Sequence, residues 1–125
     1  MARPLRSWMF VPGNRQRFLD KVYELETPPD AVFLDIEDGV IPEEKPVARE
    51  LVRDLLARKL PGPLRTVRVN AVGTDWLRED LESVLVPGLE ALTVPKVESA
   101  EDIRVVADAL AGFDPDGSVG IVAAI

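Results

Sequence analysis

The 125-residue sequence contains neither cysteine nor histidine. The absence of cysteine excludes disulfide bonds and thiolate chemistry. The absence of histidine removes the commonest general base and any site built on histidine metal ligands. A metal ion would have to be bound by carboxylates, which favour Mg²⁺ or another hard cation.

Positive charge is also scarce, with 15 lysine and arginine residues against 22 acidic residues and a net charge of −7. This balance argues against nonspecific binding to nucleic acid or to an anionic membrane. No apolar run is long enough to span a bilayer, and Met1–Arg6 lacks the hydrophobic region of a signal peptide. We therefore expect a cytoplasmic protein that binds neither nucleic acid nor a membrane.

Short apolar runs alternate with helical patterns along the chain. The runs predict strands at Ser7–Val11, Ala31–Ile36, Leu64–Val69, Ala91–Val94 and Val119–Ile125. The helical patterns cover Asn14–Glu26, Glu43–Leu60, Asp75–Leu85 and Ala100–Phe113. Apolar stripes are predicted at Phe18, Val22 and Leu25 in the first helix and at Val47, Leu51, Leu55 and Leu56 in the second. The fourth helix opens with a capping-box pattern at Ser99–Asp102.

The alternation of strand and helix predicts an α/β fold with a parallel sheet and right-handed crossovers. A TIM (β/α)8 barrel has eight such units in about 250 residues. We therefore expect residues 1–125 to be a partial TIM-barrel domain, the N-terminal five strands and four helices and about half of a barrel. The chain stops on an apolar strand with no helix to cover it, which favours a fragment or half-barrel. The alternative, a complete flavodoxin-like sheet, would need a fifth helix.

Carboxylates cluster where the second predicted strand ends. Side chains alternate between faces along a strand, so Asp35 and Glu37 share a face, with Asp38 at the rim. Acids that point inward are costly to bury unless they are paired or used. The strand ends that carry them are where active sites lie in parallel α/β folds. Either these acids form a site, or Asp38 caps the next loop and Asp35 pairs with a neighbouring cation.

Two cations are expected beside this cluster. Arg68 shares a face with Thr66 and Asn70 on the third strand and needs an anion, which Glu37, Asp35 or a substrate carboxylate could supply. A guanidinium binds a carboxylate through two parallel hydrogen bonds, which fixes orientation as well as charge. Lys96 ends the fourth strand and faces the same end, where it could instead form a salt bridge with Glu98 or Asp35.

The segment from Phe10 to Arg15 is a strand that runs into a tight turn and a helix start. Gly13 would let backbone approach a ligand, and the N–H groups of a first helical turn favour anions. A plain strand–helix turn explains the pattern equally well. Lys21, further along the same helix, is by itself typical of a solvated helix lysine.

Taken in order, these segments resemble the citrate lyase beta-subunit-like family, which includes malyl-CoA and citramalyl-CoA lyases within the HpcH/HpaI aldolase group. The residues that carry the resemblance are Arg6–Arg15, Leu34–Val40, Lys45–Arg49, Val67–Asn70 and Val94–Lys96. The resemblance implies a TIM barrel, often trimeric, that forms or cleaves a carbon–carbon bond with the help of Mg²⁺.

The resemblance also implies roles for individual residues. The catalytic residues would be Arg68, which binds the substrate carboxylate, and Glu37 and Asp38 beside it. The positions that would contact the acyl-CoA ligand are Phe10, Arg15 and Lys21. Because Arg68 lies beside them, Asp35, Glu37 and Asp38 are better interpreted as the wall of a site for the substrate carboxylate than as a metal cluster. We also expect Lys96 to bind substrate.

The family's metal ligands are a glutamate at the end of the fifth strand and an aspartate at the end of the sixth. The glutamate would be expected immediately after Ile125, so we predict no metal ligand within this chain. We predict a Mg²⁺-dependent lyase that acts on a hydroxyacyl-CoA such as citryl-, malyl- or citramalyl-CoA, as a homo-oligomer, with this chain inactive alone. The alternatives are an aldolase for free 2-oxo acids and a non-catalytic half-barrel subunit or interaction fragment.

Overall fold

The computed structural model describes residues 4–58 and 60–125, and it contains the predicted alternation of strands and helices. The strands are β1 (Trp8–Pro12), β2 (Ala31–Asp35), β3 (Leu64–Arg68), β4 (Ala91–Val94) and β5 (Gly120–Ala123). The helices are α1 (Gln16–Val22), α2 (Lys45–Ala57), α3 (Trp76–Val84) and α4 (Ala100–Phe113), and a short 3₁₀ turn at Pro42–Glu44 precedes α2.

All strand pairs are parallel, and the order in the sheet is β1-β2-β3-β4-β5. A flavodoxin-like sheet has the order 2-1-3-4-5 instead, because its chain reverses direction across the sheet. The sequential order is the one that consecutive strands have in a (β/α)8 barrel. The predicted α/β fold, with five parallel strands and four helices of barrel type, is therefore confirmed. That residues 1–125 make up about half of a barrel domain stays a prediction.

One face of the sheet forms the apolar core with all four helices. The strands contribute Val32, Leu34, Val67, Leu92 and Val94, each with no exposed surface. The buried helix residues that pack in the same cluster include Leu19, Val52, Leu55, Leu56, Val84, Val106 and Leu110. Period-2 alternation then directs the neighbouring strand residues to the opposite face, which carries the polar groups described below.

Two helix predictions need correction. Phe18 is 50% exposed and Val47 is 48% exposed. In α1 the adjacent Leu19 is buried instead, and in α2 Ala48 is buried. The first helix is also shorter than predicted, because it ends at Val22 in two tight backbone turns, Tyr23 N to Asp20 O and Glu24 N to Lys21 O.

Gly13 brings the turn after β1 against the end of β2. Its N–H donates to the carbonyl oxygen of Asp35 at 2.8 Å. A Cβ at this position would lie 2.6 Å from that oxygen and 2.9 Å from Cγ2 of Val52. The close approach that glycine permits is therefore to the chain's own strand. Among the described residues, none of the helices has the length and apolar character needed to cross a membrane.

Candidate active site

Arg68 and Asp35 form a two-point ion pair at the carboxyl ends of β3 and β2. Their Cα atoms are direct partners in the register of the two strands. Nε of Arg68 donates to Oδ1 of Asp35 at 2.9 Å, and a terminal guanidinium nitrogen donates to Oδ2 at 2.7 Å. These hydrogen bonds raise the pKa of Arg68 above its usual value. Of the anions considered from the sequence, Asp35 is thus the main protein partner of Arg68.

Asp35 is itself oriented by backbone. Its Oδ1 accepts the N–H of Glu37 and its Oδ2 accepts the N–H of Gly39, both at 2.9 Å. The Asp35 side chain is only 4% exposed, while that of Arg68 is 20% exposed. The buried carboxylate therefore fixes a guanidinium that still reaches solvent.

Phe10 lies against the other side of Arg68. The guanidinium carbon is 4.6 Å from the centroid of the Phe10 ring, within the range of a cation–π contact. The Phe10 ring stacks on Phe33 at a centroid distance of 4.4 Å, and Phe33 stacks in turn on Trp8 at 4.8 Å. This aromatic row positions a half-exposed ring beside the arginine.

Glu37 lies between two cations. One of its oxygens is 3.6 Å from a terminal nitrogen of Arg68, and the other accepts a hydrogen bond from Nζ of Lys96 at 2.7 Å. Lys96 also contacts Asp38 at 3.3 Å. The hydrogen bond to Glu37 raises the pKa of Lys96. The protein partners of Lys96 are therefore Glu37 and Asp38, and not Glu98 or Asp35 as the sequence suggested.

The three acids do not fit the role of a Mg²⁺ ligand set. Asp35 is saturated by Arg68 and two backbone N–H groups, while Glu37 and Asp38 are paired with Lys96. Within residues 4–58 and 60–125, no group of three or more acidic side chains is arranged to hold a metal ion. Their arrangement instead suits a site for an anionic ligand in which Arg68 is preoriented.

Lys21 lies on α1 and Arg15 directly precedes this helix, and neither residue takes part in the ion pairs of Asp35, Glu37 and Asp38. Arg15 is the N-cap residue and is exposed. Lys21 is also exposed and lines a groove of about 360 Å³ together with Phe10, Met9, Pro12, Phe18 and Leu25. The structure thus brings Lys21 and Phe10 to one groove, while Arg15 does not line it.

Sequence reasoning missed Lys45, which lies buried under the site. Its Nζ donates to the carbonyl oxygens of Ile36 and Glu37 and to the side chain of Asn70. Lys45 stood in the motif Lys45–Arg49, but the pattern of a helix start gives no sign that this lysine points inward. The sequence predicts that Asn70 shares a strand face with Arg68, but it does not predict the hydrogen bonds of Asn70 with Lys45 and Asp80.

Charged groups gathered at the carboxyl ends of consecutive parallel strands are typical of (β/α)8-barrel proteins, whose active sites lie at that end. Sequence comparison makes this class specific. A sequence profile described as HpcH/HpaI aldolase/citrate lyase matches residues 6–124, and the chain belongs to this family.

The curated relatives include a (3S)-malyl-CoA thioesterase from Cereibacter sphaeroides, which is 39% identical over 108 residues, 86% of this chain and 37% of the relative. Citrate lyase subunit beta from Escherichia coli K12 is 35% identical over 131 aligned positions, 99% of this chain and 42% of the relative. The chain therefore spans about two fifths of the length of these relatives.

Solved structures show the same similarity. The protein CitE from Mycobacterium tuberculosis, in complex with magnesium, acetoacetate and coenzyme A, is 30% identical with a TM-score of 0.71 over 98% of this chain and 40% of that chain. A citrate lyase beta subunit from the same organism, complexed with oxaloacetate and magnesium, is 29% identical with a TM-score of 0.65 over 93% of this chain and 56% of that chain.

Proposed function

We propose that this chain supplies the carboxylate-binding and part of the acyl-CoA-binding surface of a carbon–carbon lyase. Its substrate would be a hydroxyacyl-CoA thioester such as citryl-, malyl- or citramalyl-CoA. The proposal draws on the family membership and on the relatives' names, which include a malyl-CoA thioesterase and citrate lyase beta subunits. The expected homo-oligomeric state and cytoplasmic location stay predictions.

The observation that carries the proposal is the incomplete pairing of Arg68. Two of its three nitrogens are fixed by Asp35, while the third has Glu37 at 3.6 Å, beyond hydrogen-bond distance. A guanidinium that is preoriented, charged and partly exposed can bind a substrate carboxylate without rearranging first. Arg68 would thus fix the carboxylate of the acid being formed or cleaved.

The neighbouring groups would tune this contact. Glu37 and Asp38 balance the charges of Arg68 and Lys96, so that an incoming carboxylate competes for cations that are already in place. Lys96, whose side chain is 61% exposed, is free enough at the rim to turn from Asp38 towards a ligand.

A second part of the site would bind the thioester's carrier. Phe10 and Lys21 line the groove between β1 and α1, which has an apolar floor and a cation at its edge. Such a lining suits an elongated ligand with apolar and phosphate parts, which describes CoA. Arg15 would add charge nearby. Mg²⁺, a Lewis acid when bound, would need ligands other than Asp35, Glu37 and Asp38.

The test is a substitution of Arg68 in the full-length protein, assayed for cleavage of citryl-, malyl- and citramalyl-CoA in the presence of Mg²⁺. A hydrogen bond to a charged group contributes about 1.5–3 kcal/mol, so Arg68→Gln should lower kcat/KM by roughly 10- to 150-fold. Arg78→Gln removes an arginine paired with Glu82 on the surface of α3 and serves as the control. Unchanged kcat/KM in Arg68→Gln would contradict the proposal.

The same assay separates the alternatives. An aldolase for free 2-oxo acids would act without CoA, and Arg15→Ala would leave its activity unchanged. A non-catalytic interaction fragment would show no turnover of any thioester, whichever residue occupies position 68.

A further inference from the structure

Lys45 is a buried cation to which the proposed function gives no role. It is the first residue of α2 and is 3% exposed. Its Nζ donates to the carbonyl oxygen of Ile36 at 2.8 Å, to that of Glu37 at 3.0 Å and to Oδ1 of Asn70 at 2.8 Å. The ring centroid of Trp76 lies 4.9 Å away. An ammonium group has three N–H donors, so every donor of Lys45 is used within the protein.

The acceptors of Lys45 join the ends of two strands. Ile36 and Glu37 follow β2, and Asn70 lies two residues beyond β3. Asn70 is fixed in turn by Asp80 of α3, which accepts the Asn70 backbone N–H at 2.8 Å and its amide Nδ2 at 2.6 Å. Lys45 therefore ties the segment after β2 to Asn70, which α3 holds in turn through Asp80.

The bond to Glu37 leads directly to the candidate active site. The carbonyl of Glu37 accepts from Lys45, while its N–H donates to Oδ1 of Asp35 at 2.9 Å. That same oxygen accepts Nε of Arg68 at 2.9 Å. Lys45 thus holds Glu37 in place. The N–H of Glu37 orients the carboxylate of Asp35, and that carboxylate orients the guanidinium of Arg68.

We infer that Lys45 is a positioning residue for Arg68, which it sets in place through the backbone of Glu37 and the carboxylate of Asp35 without touching the ligand. This inference rests on the carboxylate-binding role proposed for Arg68. Burial lowers the pKa of Lys45, and the charges of Asp80 and Glu37 oppose that shift. The surrounding carboxylates thus favour the charged form, which supplies all three donors.

The test compares Lys45→Met with Arg65→Met in the full-length protein. Arg65 is a matched control because it is also a buried cation, 8% exposed, whose side chain donates to backbone carbonyl oxygens. These carbonyls belong to Leu55, Leu56 and Arg58, at and just after the C-terminal end of α2, and none lies in the segment after β2. Both variants should lower the melting temperature, since each leaves buried polar groups without a partner.

Two readouts separate positioning from stability. The first is hydrogen exchange of the Arg68 Nε–H, followed at low temperature by ¹⁵N NMR. The Arg68 signal is assigned as the one that is missing from the spectrum of Arg68→Lys. The second is kcat/KM for the thioester. Because small misplacements at an active site are costly, we expect Lys45→Met to speed that exchange and lower kcat/KM, each by roughly tenfold. Arg65→Met should keep both within about twofold of wild type.

The inference is overturned if Lys45→Met leaves the Arg68 signal unchanged, or if Arg65→Met alters it equally. If Lys45→Met alone speeds the exchange but the wild-type protein cleaves no thioester, positioning stands and the proposed function fails. If Lys45→Met does not fold, Lys45→Gln replaces it, because the amide retains donors for the carbonyl groups. The expected changes then have the same sign and are smaller, and an unchanged Arg68 signal again overturns the inference.

Discussion

At the scale of single residues, the side chain of Asp35 accepts four hydrogen bonds in the site. It accepts two hydrogen bonds from Arg68 and two from backbone, at 4% side-chain exposure. Removing one partner of a buried pair typically costs about 3–5 kcal/mol. Because Arg68 is partly exposed, we expect Asp35→Asn to lower the free energy of unfolding by about 3 kcal/mol, at the low end of that range.

Urea denaturation of Asp35→Asn measures this loss. Asp108→Asn, on the exposed surface of α4, is the matched control and should stay within about 0.5 kcal/mol of wild type. Equal stability of the two variants would mean that the Asp35–Arg68 pair does not support the fold.

Asp114 gives a pH dependence at a different place. Its carboxylate accepts the backbone N–H of Val119 at 2.6 Å and the hydroxyl of Ser118 at 2.9 Å, just before β5. The bond from Val119 lowers the pKa of Asp114. A lowered pKa means that the folded loop favours the ionised acid, so the stabilisation is complete above the ordinary pKa and is lost as pH falls through the lowered value.

The measurement is amide exchange of Val119, corrected for the intrinsic effect of pH. Protection should be constant around neutral pH and fall below about pH 4, the ordinary value of an aspartate. In Asp114→Asn the low protection should appear at every pH. Protection that is the same at acidic and neutral pH would contradict this role of the carboxylate.

At the scale of elements, the start of α4 shows the predicted capping box. The Ser99 hydroxyl accepts the N–H of Asp102, and the Asp102 carboxylate accepts the N–H of Ser99. Loss of such a cap costs about 1 kcal/mol, so Ser99→Ala should lower the free energy of unfolding by that amount. Glu101→Ala, in the same exposed turn, should change it by less than about 0.5 kcal/mol. Similar losses in the two variants would mean that the cap contributes nothing specific.

A hydroxyl pair joins β3 to β4 on the face opposite the core. The Oγ1 atoms of Thr66 and Thr93 are 2.7 Å apart, and the two residues are at most 2% exposed. Thr66→Val or Thr93→Val alone should cost about 1–3 kcal/mol, because each leaves a buried hydroxyl unpaired. The double variant should be more stable than the sum of the single losses predicts. If the two losses are additive in a double-mutant cycle, the hydroxyls of Thr66 and Thr93 contribute no interaction energy to stability.

The helices show where period alone stops being informative. In α1, Phe18 and Leu19 are both apolar and adjacent, so the 3.6-residue period fits either as part of the buried stripe. The register of the crossover onto the sheet decides in favour of Leu19, and that depends on tertiary packing. The strands are easier to predict, because runs such as Ala31–Ile36 are short, mostly apolar and bounded by turn residues. All residues of this run except Phe33 are buried.

At the scale of the whole molecule, the sequence predicted which charged groups meet but not how they pair. Asp35, Glu37, Arg68 and Lys96 could be placed together because carboxyl ends of parallel strands share one edge. Their pairing depends on register, which makes Asp35 the direct neighbour of Arg68. Lys45 could not be found, since its reach back to Ile36 depends on the path of the intervening loop.

The pairing of the strands leads us to expect that some strands are more stable against local opening than others. Within the described residues, β1 and β5 each pair with one strand, whereas β2, β3 and β4 each pair with two. β4 is buried throughout, while both end residues of β5 are exposed. Amide exchange depends on how well each backbone hydrogen bond is shielded. In the 125-residue chain, amides of β2 to β4 should exchange slowest, and those of β5 at least about a hundredfold faster.

The same measurement in a protein that spans the full length of the curated relatives tests the barrel interpretation. If further strands pair with β1 and β5, as closure of a (β/α)8 barrel requires, protection at these two strands should rise towards that of β3. Hydrogen exchange followed by NMR can report both proteins residue by residue, with β3 as the internal reference. Unchanged fast exchange of β1 and β5 in the full-length protein would mean that the sheet stays open, and an open sheet would not enclose the site around Arg68.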